Sequence, residues 1–372
     1  MIKTNQPHLN ISAASHPGMT RKQNEDHYGV RSFVGGPKRR TPSVLAVLCD
    51  GIGGHRAGEV AAQMGVSLIM DRIGEGNATD PIGELEKAIK LASDAIYNAS
   101  LTDQGRSGMG ATCAVAWVIG KRLYTANLGD SRLYLLREGH LVQLSTDHTW
   151  VQEAIDAGVI TDRDSFEHPN AHVIRRYLGS KTTPDPDFRL WFFEGEHGSE
   201  ALANQGLMLK PGDVVMLCSD GLTDLVSDDE IRDVILKESL ETAPDLLIEM
   251  ANQRGGHDNT TIVLMGVPGR GEAMGKPRRW KRLRNGCLAA LAVVAFLATA
   301  ILFGMRWWRG METDPATLTP TPAFTQTLEM PPAHYTLVPS PMVTIEATMI
   351  VPEGSPTLSA SRTPWPTNTP GQ

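Results

Sequence analysis

Two stretches of this chain share one construction. Val44-Leu-Ala-Val-Leu-Cys49 is an apolar run closed by Asp50-Gly51, and Val214-Val-Met-Leu-Cys218 is closed, after Ser219, by Asp220-Gly221. Apolar runs this short read as strands buried on both faces, and Asp-Gly is a turn signal. After Asp50 come Gly51, Gly53 and Gly54, which let the backbone close around whatever the carboxylate holds. The periodicity then becomes helical, with Val60, Ala61, Met64, Leu68 and Ile69 on one face. Such a unit places a carboxylate at the tip of a strand, at the mouth of a strand-to-helix turn. A lone Asp-Gly is an ordinary turn. Chemistry there requires other carboxylates to reach the same place.

Composition divides the chain into a mixed, globular part (1–270), a basic segment (271–285), an uncharged apolar block (286–305) and a tail rich in Pro, Thr and Ser (306–372). The net charge of −7 argues against nucleic acid as a partner. Cys49, Cys113, Cys218 and Cys287 form no CxxC pair, and the first three sit in apolar runs. Reduced core thiols in a reducing compartment follow. No apolar segment follows Met1-Ile-Lys-Thr, so no cleavable secretion signal is visible.

In chain order, Ser15 to Asp26 reads as a turn, because Pro17 and Gly18 break helix, and Tyr28 and Val30 then favour strand. Asp80-Pro81 opens a second helix carrying Leu85, Ala88, Ile89, Ala92, Ile96 and Ala99 on one face. Two helices joined by Gly74 to Asn77 pack antiparallel on one sheet. From Gly110 to Leu144 the pattern predicts an antiparallel meander with turns at Gly120-Lys121, Gly129-Asp130-Ser131 and Glu138-Gly139. Trp117, Tyr124 and Tyr134 are its candidate core aromatics. Residues 147–180 interrupt the strands. Strands are expected to resume at Phe188–Phe193, with a hairpin tip before Gly206. Helices are predicted over Ser227–Glu238 and Ala243–Gln253, before a final strand opened by Asp258. His148, His168 and His257 lack zinc-ligand spacing and read as loop packing.

The acids now count together. Asp50 and Asp220 cap strands, Asp258 opens one, and Glu25 and Asp26 precede another. Unpaired acids are rarely buried at sheet ends. Several carboxylates with glycine carbonyls make an all-oxygen site, suited to Mg2+ or Mn2+ rather than zinc. Two such ions about 3.5–4 Å apart would share a carboxylate and activate a water. Arg21 would supply a planar bidentate donor for phosphate.

From about Ile11 to Val267 the chain resembles the metal-dependent protein serine/threonine phosphatases of type 2C in their bacterial form. The carrying segments are Arg21-xx-Asn24-Glu25-Asp26, Cys49-Asp50-Gly51-Ile-Gly-Gly-His55-xx-Gly58-Glu59, Gly108-Met-Gly110-Ala-Thr112 and Asn127-Leu-Gly129-Asp130-Ser131-Arg132. Asp147-His148-Thr149, His168-Pro169, Cys218-Ser219-Asp220-Gly221-Leu222 and Asp258-Asn259-Thr260 complete the series. The resemblance implies an α+β fold, a four-layer α/β/β/α sandwich of two antiparallel sheets flanked by helix pairs. It implies two Mn2+ or Mg2+ ions, bridged by Asp50 and bound also by Glu25, Asp26, the Gly51 carbonyl, Asp220 and Asp258. Asp130 would join Asp220 at a third ion found in bacterial members. Arg21 would hold the substrate phosphate, and residues 147 to about 180 would form a flap beside the site. A metal-bridging water would attack phosphorus in line, with no phosphoenzyme. Where eukaryotic members carry a histidine two residues after the bridging Asp, this chain has Ile52. His55 is then a candidate general acid, against a supporting role at the helix start with metal-bound water as the donor.

The block 286–305 is long enough to cross one bilayer core. Lys276, Arg278, Arg279, Lys281, Arg282 and Arg284 precede it, so residues 1–270 should be cytoplasmic and 306–372 extracytoplasmic. The tail, with its Thr-Pro repeats, reads as disordered. The resulting expectation is a monomeric catalytic domain, anchored in the cell membrane by one span, that removes phosphate from phosphoproteins and opposes Ser/Thr kinases. The competing reading is a sensor or scaffold that binds phosphoproteins without turnover.

Overall fold

The computed structural model describes residues 1–35, 41–53, 56–165, 168–193 and 195–269. His55 and the expected basic segment, span and tail lie outside the described residues. No helix among the described residues is long and apolar enough to cross a membrane.

The chain opens with β1 (Ile2–Thr4), β2 (Asn10–His16), β3 (His27–Gly35), β4 (Thr41–Cys49) and β5 (Gly51–Ile52). The helices α1 (Arg56–Glu75) and α2 (Pro81–Thr102) follow, then β6 (Gly110–Ala111), β7 (Cys113–Ile119), β8 (Arg122–Leu128), β9 (Arg132–Arg137) and β10 (His140–Gln143). Three short helices, α3 (Trp150–Asp156), α4 (Asp162–Ser165) and α5 (Gly198–Ala203), lead to β11 (Leu207–Met208) and β12 (Val214–Cys218). The chain then forms α6 (Asp220–Thr223), α7 (Asp228–Lys237), α8 (Ala243–Gln253) and β13 (Thr260–Gly266). One sheet has the order β1-β3-β4-β7-β8-β11 and a second the order β10-β9-β12-β13-β2, with β5 and β6 paired apart.

Strand β4 explains the layering. Val44, Ala46 and Leu48 pack in a core with Leu133, Leu135, Val215, Leu217 and Val263 of the other sheet. Leu45, Val47 and Cys49, on the opposite face, pack with Ala62, Val66, Ile69, Leu85 and Ile89 of α1 and α2. Strand β12 repeats the scheme, with Val215 and Leu217 inward and Met216 and Cys218 against Ile231, Val234, Leu247 and Ile248 of α7 and α8. Period-two side chains meet an apolar layer on both faces, so the runs are continuous rather than alternating. Each large side chain buried this way contributes about 1.5–3 kcal/mol. Cys49, Cys113 and Cys218 are buried free thiols, as expected.

The second helix matches its expectation. The Asp80 carboxylate accepts from the Gly83 N–H at 3.1 Å, and Leu85, Ala88, Ile89, Ala92 and Ile96 are buried. In α1 Ala61 and Ile69 of the expected face are fully buried, together with Ala62, Val66 and Ile73, while Val60, Met64 and Leu68 are only partly covered. This helix packs on both the sheet and α2, which rotates its covered arc from the expected one. Trp117 and Tyr134 are fully buried, but Tyr124 only in part.

Two expectations are corrected. The stretch from Gly110 to Leu144 is not one meander: β7–β8 belong to the first sheet and β9–β10 to the second, so the Gly129–Ser131 turn carries the chain across the sandwich. Gly129 has φ +100°, and a Cβ there would stand 2.6 Å from the Thr112 side chain, so this crossing requires glycine. Nor do strands resume at Phe188–Phe193. Trp191 N–H donates to the Leu144 carbonyl at 3.0 Å, and α5 stands where a hairpin tip was expected, with Glu200 accepting from the His197 N–H at 2.8 Å.

Candidate metal centre

Antiparallel register brings the acids to one end of the sandwich. Cys49, the last residue of β4, pairs with His27, the first of β3. Cys218, the last of β12, pairs with Ile262 of β13 and Arg132 of β9. Asp50 and Asp220 therefore leave their strands at the same edge where Glu25 and Asp26, Asp130 and Asp258 lead into β3, β9 and β13. The electrostatics reflect this convergence. Burial, then the charges of Asp26, Asp220, Asp130 and Asp258, push the Asp50 carboxyl well above its ordinary value. Asp220 is raised likewise, by burial and then by Asp130, Asp224, Asp258 and Asp26. Asp26 is pushed up to about 6, chiefly by burial, and Asp130 up to about 7, by burial and then by Asp147.

The glycines make room. A Cβ on Gly58 would collide with the Glu25 carboxylate, and one on Gly51 would run into the Gly58 backbone and come within 2.8 Å of the Glu25 carbonyl. Glu25, Gly51 and Gly58 thus share one small volume beside Asp50. Arg21 donates from Nη2 to Asp258 Oδ2 at 2.7 Å. The charge of Asp258 first, and those of Glu25 and Asp50 after it, hold the guanidinium firmly protonated. Arg21, Glu25, Asp26, Asp50, Gly51, Asp130, Asp220 and Asp258 are all brought together; His55 lies outside the described residues.

What sequence reasoning missed is the scaffold. Asn259 accepts at Oδ1 from the Glu25 N–H (2.7 Å) and donates from Nδ2 to the carbonyls of Pro17 (3.0 Å) and Gln23 (2.9 Å), stapling the Pro17–Glu25 loop onto β13. Ser219 Oγ donates to Asp26 Oδ2 at 2.7 Å and accepts from the Thr261 N–H at 2.9 Å. Thr112 Oγ1 accepts from the Asp50 N–H at 2.8 Å and lies 2.7 Å from Ser131 Oγ, coupling the Asp50 turn to the sheet-crossing turn. His148 accepts at Nδ1 from the Gly129 N–H (3.2 Å), which leaves Nε2–H to donate to Asp187 (3.3 Å). All four residues lie inside or beside the quoted motifs, but side-chain-to-backbone bonds have no periodicity to read. We expect Asn259→Ala to lower stability by about 1–3 kcal/mol in urea denaturation, because it leaves a half-buried N–H and two half-buried carbonyls without their partner. Divalent-ion affinity should fall with it.

The donor set fits hard cations. Asp26 Oδ1, Asp130 Oδ1 and Asp220 Oδ1 are buried oxygens without a hydrogen-bond partner. Buried carboxylate oxygens without donors are costly unless a cation faces them, and oxygen-only sets suit Mg2+ and Mn2+. Fold and site together define an oxygen-donor metal centre at the end of a β-sandwich.

A sequence profile of the family described as Protein phosphatase 2C matches residues 12–154. The putative protein phosphatase 2C-type of Streptococcus pyogenes serotype M6 is 34% identical over 265 residues, covering 69% of this chain and 97% of the relative. The chain belongs to the protein phosphatase 2C family. It is also 34% identical over 260 residues, 70% of its own length, to the serine/threonine protein phosphatase PstP of Mycobacterium tuberculosis, but spans only 45% of that relative. A solved structure of the catalytic domain of serine threonine protein phosphatase PstP in complex with 2 manganese ions superposes with a TM-score of 0.56 and 32% identity, covering 69% of this chain and 97% of that one.

Proposed function

We propose that this chain hydrolyses phosphoserine and phosphothreonine on proteins, using two Mn2+ or Mg2+ ions, with Asp130 and Asp220 as the residues that would hold a third. The observation that carries this reading is the set of three buried, donorless carboxylate oxygens beside an arginine. Asp50, on which the charges of Asp26, Asp220, Asp130 and Asp258 all bear, would be shared by the pair. Glu25, Asp26, the Gly51 carbonyl, Asp220 and Asp258 would complete it. When bound, such ions supply Lewis-acid stabilisation of the phosphoryl oxygens and a water acidic enough to act as nucleophile at neutral pH. The Arg21 side chain is 53% exposed, so it can leave Asp258 to meet an incoming phosphate with two parallel N–H donors. His148 is committed to Gly129 and Asp187 and does not serve substrate. The donor to the leaving oxygen would be His55 or a metal-bound water.

The similarity to PstP, a serine/threonine protein phosphatase, and to the 2C-type phosphatase of Streptococcus pyogenes supports the substrate class. The test is phosphate release by the full chain from a phosphothreonine peptide, with Mn2+ and with EDTA. Release that requires the metal is expected. No release from metal-loaded protein, on this peptide or on a kinase-phosphorylated protein, would favour the phosphoprotein-binding scaffold.

We further propose that residues 1–270 are the catalytic domain, held at the cytoplasmic face by a span over 286–305, where it would oppose Ser/Thr kinases. The uncharged twenty-residue block and the basic cluster before it support this. The full chain should stay in the membrane pellet after carbonate extraction, and deletion of 286–305 should release it. Recovery of the full chain in the supernatant would remove the anchor from the proposal.

A further inference from the structure

Asp130 directly follows Gly129, where the chain turns from the first sheet to the second. At φ +100° a glycine has no side chain to settle its conformation, so this turn must be held from outside. His148 holds it twice. Its main-chain N–H donates to the Gly129 carbonyl at 2.9 Å, and its ring Nδ1 accepts from the Gly129 N–H at 3.2 Å. The two peptide planes that flank Gly129 are therefore pinned, and with them the direction in which Asp130 leaves the turn.

The grip depends on which ring nitrogen carries the proton. Nδ1 accepts only when bare, so Nε2 must bear the hydrogen. Asp187 decides this. Its Oδ2 lies 3.3 Å from His148 Nε2, and an ionised carboxylate accepts hydrogen bonds but donates none. The two side chains are 4% and 7% exposed, so water does not compete. Arg189 aims the carboxylate: its main-chain N–H and its Nε donate to Oδ1 at 2.9 Å, and its Nη2 donates to Oδ2. Burial by itself would raise the Asp187 carboxyl, but hydrogen bonds from His148 and Arg189 hold it well below its ordinary value. The Asp187 backbone is tied to that of Asn127, close before Gly129, by N–H···O bonds of 2.9 and 3.0 Å. Asp187 and Arg189 lie outside every segment that carries the family resemblance.

We propose that Asp187 and Arg189 are positioning residues of the metal centre: through the tautomer of His148 they fix the Gly129 turn that presents Asp130. They act through the imidazole, not on the carboxylates themselves. A buried carboxylate that sets the tautomer of a histidine can be undone by its own amide. In Asp187→Asn the amide oxygen keeps the Oδ1 place, because the main-chain N–H of Arg189 that it accepts from cannot move. The amide NH2 then faces His148 Nε2 and drives the proton to Nδ1, where it opposes the Gly129 N–H. The turn loses one of its two bonds, and Asp130 is no longer held in one direction. The consequence for turnover rests on the phosphatase reading, whereas the tautomer does not.

The experiment labels the histidine ring nitrogens of the full chain and reads their protonation by NMR in EDTA at pH 8. The His148 signals, identified by their loss in His148→Gln, should show the proton on Nε2 in the unsubstituted chain and on Nδ1 in Asp187→Asn. With Mn2+, Asp187→Asn should lower kcat for a phosphothreonine peptide about tenfold to a hundredfold, with KM within about twofold, and should weaken Mn2+ binding in equilibrium dialysis. Asp187→Ala lets the Gly129 N–H choose the tautomer, so it should keep the higher kcat of the two variants although it is the less stable in urea. A purely structural Asp187 would make the alanine variant the poorer in both. A proton on Nδ1 in the unsubstituted chain, a proton kept on Nε2 in Asp187→Asn, or a shifted proton with Mn2+ binding and kcat unchanged would each overturn the proposal. A shifted proton with weakened Mn2+ binding, in a protein that never releases phosphate, would count against the phosphatase reading and leave this one standing.

Discussion

Asp50→Asn should lower kcat/KM for a phosphothreonine peptide by at least about a thousandfold, because it removes a carboxylate on which the charges of Asp26, Asp220, Asp130 and Asp258 converge. The same substitution should stabilise the protein once metal is stripped away. Asp50 stands half-buried among Asp26, Asp220, Asp130 and Asp258, and its charge is opposed by all of them. A neutral amide of the same shape removes that repulsion. Urea denaturation in EDTA at pH 8 should therefore show a higher midpoint for Asp50→Asn than for the unsubstituted chain, while activity in Mn2+ is lost. Loss of both activity and metal-free stability would mean that Asp50 holds the turn rather than an ion.

The second large effect is on pH. Burial and mutual repulsion raise Asp26 from 3.8 to about 6 and Asp130 from 3.8 to about 7 in the folded chain. Between these values the folded state binds more protons than the unfolded state, so stability falls as pH rises. The contribution is fully present below about pH 4 and is gone above the folded values. For Asp26 alone it is on the order of 3 kcal/mol. Asp50 and Asp220, raised further, extend the fall toward alkaline pH. Metal-stripped protein should thus have a lower urea midpoint at pH 8 than at pH 5, and Mn2+ should restore it most at pH 8. Equal midpoints in EDTA at the two pH values would show that the carboxylates are not in mutual contact. Bound ions reverse the sense of the linkage, since they favour the ionised carboxylates and compete with protons.

Much of the fold could be read from the chain because its strands and helices obey local rules. The apolar runs at Val44–Cys49 and Val214–Cys218, the Asp80 cap and the 3.6-residue repeats after Pro81 depend only on neighbours in sequence. The meander failed at Gly129–Ser131 because a sharp turn between two strands does not reveal whether they pair with each other or cross to another sheet. The stretch 188–206 failed because its aromatic, β-prone residues are held by Leu144 and Ala201 rather than by a strand ladder.

The same division applies to the site. The sequence by itself determined which acids stand at strand ends: Asp50 and Asp220 after apolar runs, and Glu25, Asp26 and Asp258 before others, each set by a turn of a few residues. Only the tertiary structure decided that these ends share one edge of a two-sheet sandwich. It also supplied the staples that hold them there, Asn259 to the Pro17–Glu25 loop, Ser219 to Asp26 and Thr112 to Asp50. The physical reason is range. A strand and its turn are fixed by contacts a few residues apart, whereas convergence of the carboxylates is fixed by register between strands whose paired residues lie from 22 (His27 with Cys49) to 244 (His16 with Thr260) positions apart in sequence. It persists against their mutual repulsion because the apolar faces of both sheets are buried at the same time.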